Sequence, residues 1–311
     1  MALIDLTADK PFDVVCFGYN SVDLLCRVPH FPRQGRKLVM SEFSQQGGGQ
    51  SATAAAALAR SGFRARYLGK FGGGAMGRFA RESLAAEGVD VSGALVDEAV
   101  SNQIAVIFVE DGTGERTITY TRVPGLEVRP EEVDRDAVQS GRVLLVDAHQ
   151  LPATTRAAAW AREAGIPVVV DAERASPGVE ALLEHCDFIL CDQRFPEDLT
   201  GETDPKRALA ALSRYGRLVA MTLGAEGSLA YADGRYIRTP AYQVECVDTT
   251  GAGDVFHAGF VAGLLLGMDA PGALRYANAA AALKCRALGG RAGIPTRSEV
   301  LDLIALRDGA V

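Results

Sequence analysis

The stretch Val247-Asp-Thr-Thr-Gly-Ala-Gly-Asp254 combines a carboxylate with glycine-rich backbone. Two glycines at the entry to a helix let the chain turn tightly and present N–H groups. A helix N-terminus carries partial positive charge, so the amides of Gly251, Ala252 and Gly253 form a cradle for an anion such as a phosphate. Asp254 falls in the first helical turn, and a free aspartate, with a pKa of about 3.9, is ionised at neutral pH. It is then an acceptor able to take a proton from an alcohol while the cradle stabilises a phosphoryl group in transfer. The plainer reading of the same residues is a capped helix after a tight loop.

Other residues offer chemistry at the ends of apolar runs. Asp13 to Gly18 reads as a buried strand, and Asp23 follows it. A carboxylate there faces the crevice where α/β sheets bind ligands, and can accept hydrogen bonds from sugar hydroxyls; its plainer role is to brace a turn. Gln46-Gly-Gly-Gly-Gln-Ser-Ala-Thr53 opens an Ala-rich helix that Gly62 stops, and its glycines permit close approach of a ligand to the helix start. His149 follows a strand end, where it can line the same pocket. His257, three residues beyond Asp254, is expected above or beside the site. His30 and His185 read as structural. Asp192 lies after another strand, placed either to hold magnesium through water or to cap a helix. Met221-Thr-Leu-Gly-Ala-Glu-Gly227 reads on its own as a hairpin turn.

The elements that must position these groups follow from patterning. Val143 to Asp147, Pro167 to Asp171, Phe188 to Cys191 and Arg217 to Leu223 are short apolar strands, with helices between them such as Pro152 to Glu163. Strand–helix alternation implies a mostly parallel sheet covered on both faces. Leu24 to Ser44 and Ser101 to Thr121 alternate apolar and polar residues, the second around the turn Asp111-Gly-Thr-Gly114, and read as extended segments. A strand is expected over Ala241 to Val247, and apolar helices over Val255 to Gly267 and Pro271 to Cys285. Gly69 to Gly77 reads as a flexible loop. The Gly259 and Gly263 pair resembles a membrane packing motif, but its helix is too short to span a bilayer, so close helix packing in a protein core is expected.

The 311 residues, 48% of them apolar, suffice for one large α/β domain over 1–311. The net charge of −7 and the lack of a Lys/Arg run argue against nucleic acid as a partner, and no membrane partner is expected. Six scattered cysteines without a C-x-x-C pair, and a mixed, polar Met1 to Phe12, lead us to expect a reduced, cytoplasmic protein. No G-x-G-x-x-G follows the first strand, which weighs against a dinucleotide oxidoreductase.

Asp-Thr-Thr-Gly-Ala-Gly-Asp-Val-Phe closely resembles the C-terminal signature of the ribokinase-like carbohydrate kinases, the phosphofructokinase-B family, and the likeness extends from Gly18 to Ile294. The glycine signature, the Asp254 motif with its following Phe-His, and Ala-Ala-Leu-Lys-Cys-Arg-Ala-Leu-Gly-Gly-Arg-Ala-Gly-Ile-Pro look most like the ketohexokinase and sulfofructose kinase branch. The resemblance implies a three-layer α/β sandwich around a mostly parallel sheet, with a small β-sheet lid from about 24–45 and 101–121; because exposed edges of lid strands need covering, a homodimer through the lid is expected. It implies an ATP- and magnesium-dependent kinase acting on a hydroxyl, expected to be a primary one, of a ketose or related sugar. It gives Asp254 the base, the Gly251–Gly253 amides the phosphate, and Asp23, Gly48, Gly49, Gln50 and Thr53 the sugar, although the family usually has Asn where Thr53 stands. Asp192, Thr222, Gly224, Gly227, Asn278 and Ala281 fall at nucleotide positions, the last two at the adenine wall. Asp248, Thr250 and Gly289 fall where several members hold a monovalent cation such as K+. A nucleoside kinase of the same fold and a silent sugar- or nucleotide-binding regulator are the alternatives.

Overall fold

The computed structural model describes residues 3, 4, 6 and 9–308, so part of Met1 to Phe12 and the last residues of 1–311 lie outside the description. Strand β1 (Phe12–Phe17) leads through β2 (Ser21–Val28) and β3 (Glu42–Gly48) into helix α1 (Gln50–Arg60). Then come β4 (Ala65–Leu68), β5 (Lys70–Gly73), α2 (Gly74–Ala86), β6 (Leu95–Ser101), β7 (Ile104–Glu110) and β8 (Arg116–Tyr120). Strand and helix alternate next: α3 (Arg135–Val138), β9 (Gly141–Asp147), α4 (Leu151–Glu163), β10 (Val168–Ala172), α5 (Val179–Leu183) and β11 (Phe188–Cys191). Helices α6 (Phe195–Thr200) and α7 (Pro205–Leu212) precede β12 (Leu218–Thr222) and the hairpin β13 (Ser228–Ala232) to β14 (Arg235–Thr239). The chain closes with α8 (Ala252–Leu265), α9 (Ala270–Lys284) and α10 (Arg297–Asp308).

Eight strands form the main sheet in the order β14-β13-β12-β11-β10-β9-β1-β4, parallel except for β13 and β14. Its strands are apolar on both faces because both are covered. Val14, Cys16, Val143 and Leu145 pack with α1, α2, α8 and α9. Val15, Phe17, Leu144 and Val146 point the other way, against α3 to α7. This is the three-layer architecture expected. A second sheet, β3-β2-β7-β8, stands apart from the first, with β2 and β7 parallel and the outer pairs antiparallel.

Helix α8 is buried along nearly its whole length, which explains its uniform apolarity. Its two glycines are packing residues: a Cβ on Gly259 would lie 2.8 Å from Ala277 Cα, and one on Gly263 2.7 Å from Ala273 Cα. Among the described residues no helix is long and apolar enough to cross a membrane.

Two segments differ from the sequence expectation. Ala241 to Val247 is not a strand but an extended connection leaving the sheet edge at β14. Its alternation lacks a neighbouring edge to pair with, and the N–H groups of Val247 and Asp248 go instead to Cys285 O, at 2.8 and 3.2 Å. Gly69 to Gly77 is no flexible loop: β5 is buried and paired with β6, and α2 starts at Gly74. A Cβ on Gly77 would meet Gly72 O at 1.6 Å, so these glycines let a strand and a helix touch backbone to backbone.

Candidate active site

The C-terminal ends of β1, β9, β10, β11 and β12 lie side by side, and the residues just after them, Tyr19, His149, Glu173 and Asp192, with Thr222 at the end of β12, line one cavity of about 470 Å3. Because β1 has β4 on one side and β9 on the other, the connections diverge there, which opens a crevice at the strand ends. The lid strands contribute Asp23, Ala105, Ile107, Arg116, Ile118 and Tyr120 from above, and Gly251, Gly253, Asp254 and His257 enter from the start of α8.

The loop before α8 is built on Asp248, which is fully buried. Its Oδ1 accepts from the Thr250 N–H (2.8 Å) and hydroxyl (2.7 Å), and its Oδ2 from the Gly289 N–H (2.7 Å). This pins the loop so that Gly251 takes a φ of +75° as the N-cap of α8, with Gly290 so close that a Cβ would lie 2.8 Å from its Cα. The cradle is narrower than the sequence suggests. The Ala252 N–H donates to Thr249 O at 3.1 Å, while Gly251 and Gly253 line the cavity.

Asp254 is half-buried at the cavity wall. Burial, and the nearby Asp171 charge, raise its pKa to about 7, with His257 opposing them. His257, expected above or beside the site, is part of its wall. Its Nδ1 lies 2.9 Å from Asp171 Oδ2, a close contact out of line with the ring N–H. Burial alone would lower the His257 pKa, but Asp171 and Asp254 outweigh it and raise it.

Asp23 is buried on β2, and its Oδ1 accepts from the Ser21 hydroxyl at 2.7 Å. Burial raises its pKa against the pull of Ser21 and of the buried Arg291 guanidinium, which donates to Gly48 O at 3.1 Å. Gly48 does not line the cavity. It makes room for Asp23, since a Cβ there would lie 2.2 Å from the carboxylate. Gly49, with φ +90°, and Gln50 do line it, and Gln50 Oε1 is a buried acceptor without a protein partner. Thr53 does not reach the cavity: it is 1% exposed inside α1, close under Gly290. His149 does, its ring 5.2 Å from that of Tyr19.

At the expected nucleotide end, Asp192 and Thr222 line the cavity, and Asp192 also accepts from the Arg194 N–H at 2.9 Å. Gly224, Gly227, Asn278 and Ala281 lie outside this lining. Asn278 is buried, its amide donating to Ser228 Oγ (2.9 Å) and Thr239 O (3.3 Å), so it braces the β13–β14 hairpin. Gly227, with φ +95°, fits under Thr239 O, and Ala281 is half-buried on α9.

Sequence reading passed over several residues of this site. Asp147 is fully buried and accepts from the Tyr19 N–H, the Ser51 hydroxyl and the His149 N–H, tying three cavity segments together. Asp171 closes β10 in the same way that Asp147 closes β9, register partners at the crevice edge. An acid ending a run of apolar β-residues is the signal that could have found both. Arg116, on β8, donates to Thr249 Oγ1 beside the glycine loop.

A family model described as pfkB family carbohydrate kinase matches residues 12–297. The Bacillus subtilis ribokinase is 27% identical, with 94% of this chain and 99% of that protein covered. The ATP-dependent ribose-1-phosphate kinase of Halopiger xanaduensis is 29% identical over 94% and 98%. The crystal structure of a candidate ribokinase from Agrobacterium tumefaciens is 30% identical and superposes with a TM-score of 0.89, covering 96% of this chain and 98% of that one.

Proposed function

The chain belongs to the pfkB family of carbohydrate kinases, and on that premise we propose that it transfers the γ-phosphoryl group of ATP to a hydroxyl of a sugar, with Asp254 as the general base. The observation that carries this reading is that Asp254 and the Gly251 and Gly253 backbone open into the same cavity as Asp23, Gln50 and His149. The acceptor lies under the lid, its hydroxyls held by the Asp23 carboxylate and by Gln50 and His149. The reacting hydroxyl, a primary one in a ketose or similar sugar, gives its proton to Asp254 as its oxygen forms the new P–O bond. The bond to ADP breaks, and the Gly251 and Gly253 N–H groups stabilise charge on the equatorial oxygens. Gly48 and Thr53 serve the sugar site indirectly, through the space given to Asp23 and the packing of α1.

Thr222 faces the nucleotide, while Gly224, Gly227, Asn278 and Ala281 shape the elements behind it. Magnesium suits this donor set. Asp192 and Glu173 follow the paired residues Cys191 and Ala172 on neighbouring strands, and one or two carboxylates beside substrate phosphates are its usual protein ligands. When bound, it neutralises phosphate charge. The Bacillus and Halopiger relatives, a ribokinase and a ribose-1-phosphate kinase, support a sugar acceptor.

A nucleoside acceptor is the second reading, favoured by the rings of Tyr19, Tyr120 and His149 in the lining. We also read the lid as the surface through which two copies pair: β8 is exposed throughout and Phe43 on β3 is 57% exposed, leaving open strand edges that need covering.

The test is ADP release with a panel of ketoses, aldoses, sugar phosphates and nucleosides, repeated with Asp254→Asn at saturating ATP. Loss of a positioned base lowers kcat by on the order of 10²–10⁴. Near-full turnover by the variant rules Asp254 out, and tight binding without product from any acceptor would support a silent regulator instead.

A further inference from the structure

Lys284, in the last turn of α9, is fully buried, and its Nζ donates to the main-chain oxygen of Asp248 at 2.8 Å. It lies beneath the loop that presents Gly251 and Gly253. That is the place where resemblance to the family puts a monovalent cation, on Asp248, Thr250 and Gly289. The residues present do not fit such an ion. The Asp248 carbonyl is taken by the ammonium. Both Asp248 carboxylate oxygens are taken by the hydroxyl and N–H donors of Thr250 and the N–H of Gly289. Gly289 thus turns a donor toward Asp248, where a cation needs oxygen. A free cation would also sit against an existing positive charge in a site from which water is excluded.

We propose that the Lys284 ammonium is a built-in replacement for that cation: it supplies the positive charge under the anion-binding loop, and phosphoryl transfer by this chain is independent of potassium. A compact ammonium with three donors is the side-chain group nearest in size and charge to a small monovalent ion. A charge in this position persists only if it is compensated, and the Asp248 carboxylate and carbonyl provide the compensation. Burial lowers the Lys284 pKa and the Asp248 charge opposes that fall. The arrangement also explains why Asp248 is held on all sides: the loop, the α9 terminus and Gly289 meet on one residue.

This rests on the kinase reading for its activity readout, so the experiment includes a second readout that needs no substrate. Wild-type turnover is compared in potassium chloride and choline chloride at equal ionic strength. The two rates agree within about twofold, since an ion without a site acts only by screening. The melting temperature of the wild type, without sugar or ATP, is likewise the same in both salts. Lys284→Met removes the charge and leaves the Asp248 carbonyl without its donor. The variant melts lower, and potassium, but not choline, raises both its melting temperature and its rate, because an ion that binds only the folded form stabilises it. Potassium that activates the wild type on the order of tenfold, or raises its melting temperature, overturns the proposal. So does a folded Lys284→Met that ignores potassium in both readouts, whatever its activity. If Lys284→Met does not fold, the wild-type comparison in the two salts decides alone. An inactive wild type with salt-independent melting would sink the kinase reading but leave standing the placement of the Lys284 ammonium where the cation would sit.

Discussion

Asp254 is the half-buried end of a short line of charge: Asp171, His257 and Asp254 alternate in sign along the cavity wall. The consequence is a pH dependence with a definite direction. If Asp254 is the general base, it works when deprotonated, and activity is lost as pH falls through its folded-state pKa. With that pKa at about 7, kcat/KM should fall about tenfold per pH unit below it and level off above. Since the His257 charge holds the Asp254 pKa down, His257→Gln should move this acid limb to higher pH, with the plateau less affected. A pH–rate profile of both proteins checks this; a limb that stays in place excludes His257 as a positioning residue for the base. Asp254 and His149 could be placed at the cavity from sequence because each sits at a predictable boundary of strand or helix; Asp23, expected just past the first strand, also lines the cavity but lies inside β2. Asp171, Asp147 and Lys284 could not be placed in this way. Each ends an apolar run, and in a single sequence such a residue looks like the boundary of a core element. Only the three-dimensional arrangement shows that two of these ends meet at the crevice and the third lies under the loop.

The helices show what spacing can and cannot tell. The small residues of α8 predicted close packing, and the contact with α9 is through Gly259 and Gly263 against Ala277 and Ala273. Gly263→Val has no space to occupy, so it should destabilise by about 1–3 kcal/mol, the usual cost of overpacking. Because α8 carries Asp254 at its other end, thermal unfolding and turnover of this variant should both suffer. An unchanged melting temperature would mean that the helices separate without cost. The two misread segments failed for opposite reasons. Ala241 to Val247 has a strand's alternation but no edge to join. Gly69 to Gly77 has a loop's composition, but its missing side chains are what allow β5 and α2 to pack.

Across the whole molecule, the strand–helix alternation was enough to expect a parallel sheet with covered faces, because each βαβ passage constrains the next. Residues 24–45 and 101–121 were expected as a separate extended layer, and β2, β3, β7 and β8 form one. What spacing could not show is which lid strands pair, since register depends on partners far away in the chain. The outer edges of this layer bear on assembly. If two copies pair through the lid, sedimentation velocity at micromolar concentration should give a dimer, and Phe43→Lys should shift it toward monomer. A wild type that sediments as a monomer throughout removes the lid as a self-association surface.

The parallel pairing of Val22 with Ile104 has a further consequence, for the time at which the protein becomes competent. β2 emerges from the ribosome with β3 close behind, but its other neighbour follows only after the strands and helices between them have been made. Contacts between residues so distant in the chain close slowly, since the entropy of the intervening loop must be lost before the pairing rewards it. The main sheet waits longer still: β1 pairs with β9 through Val14 and Val143, so all four strands of the small sheet have been made before the main sheet can close around β1. A nascent chain therefore has the strands of its roof before it has the floor they cover.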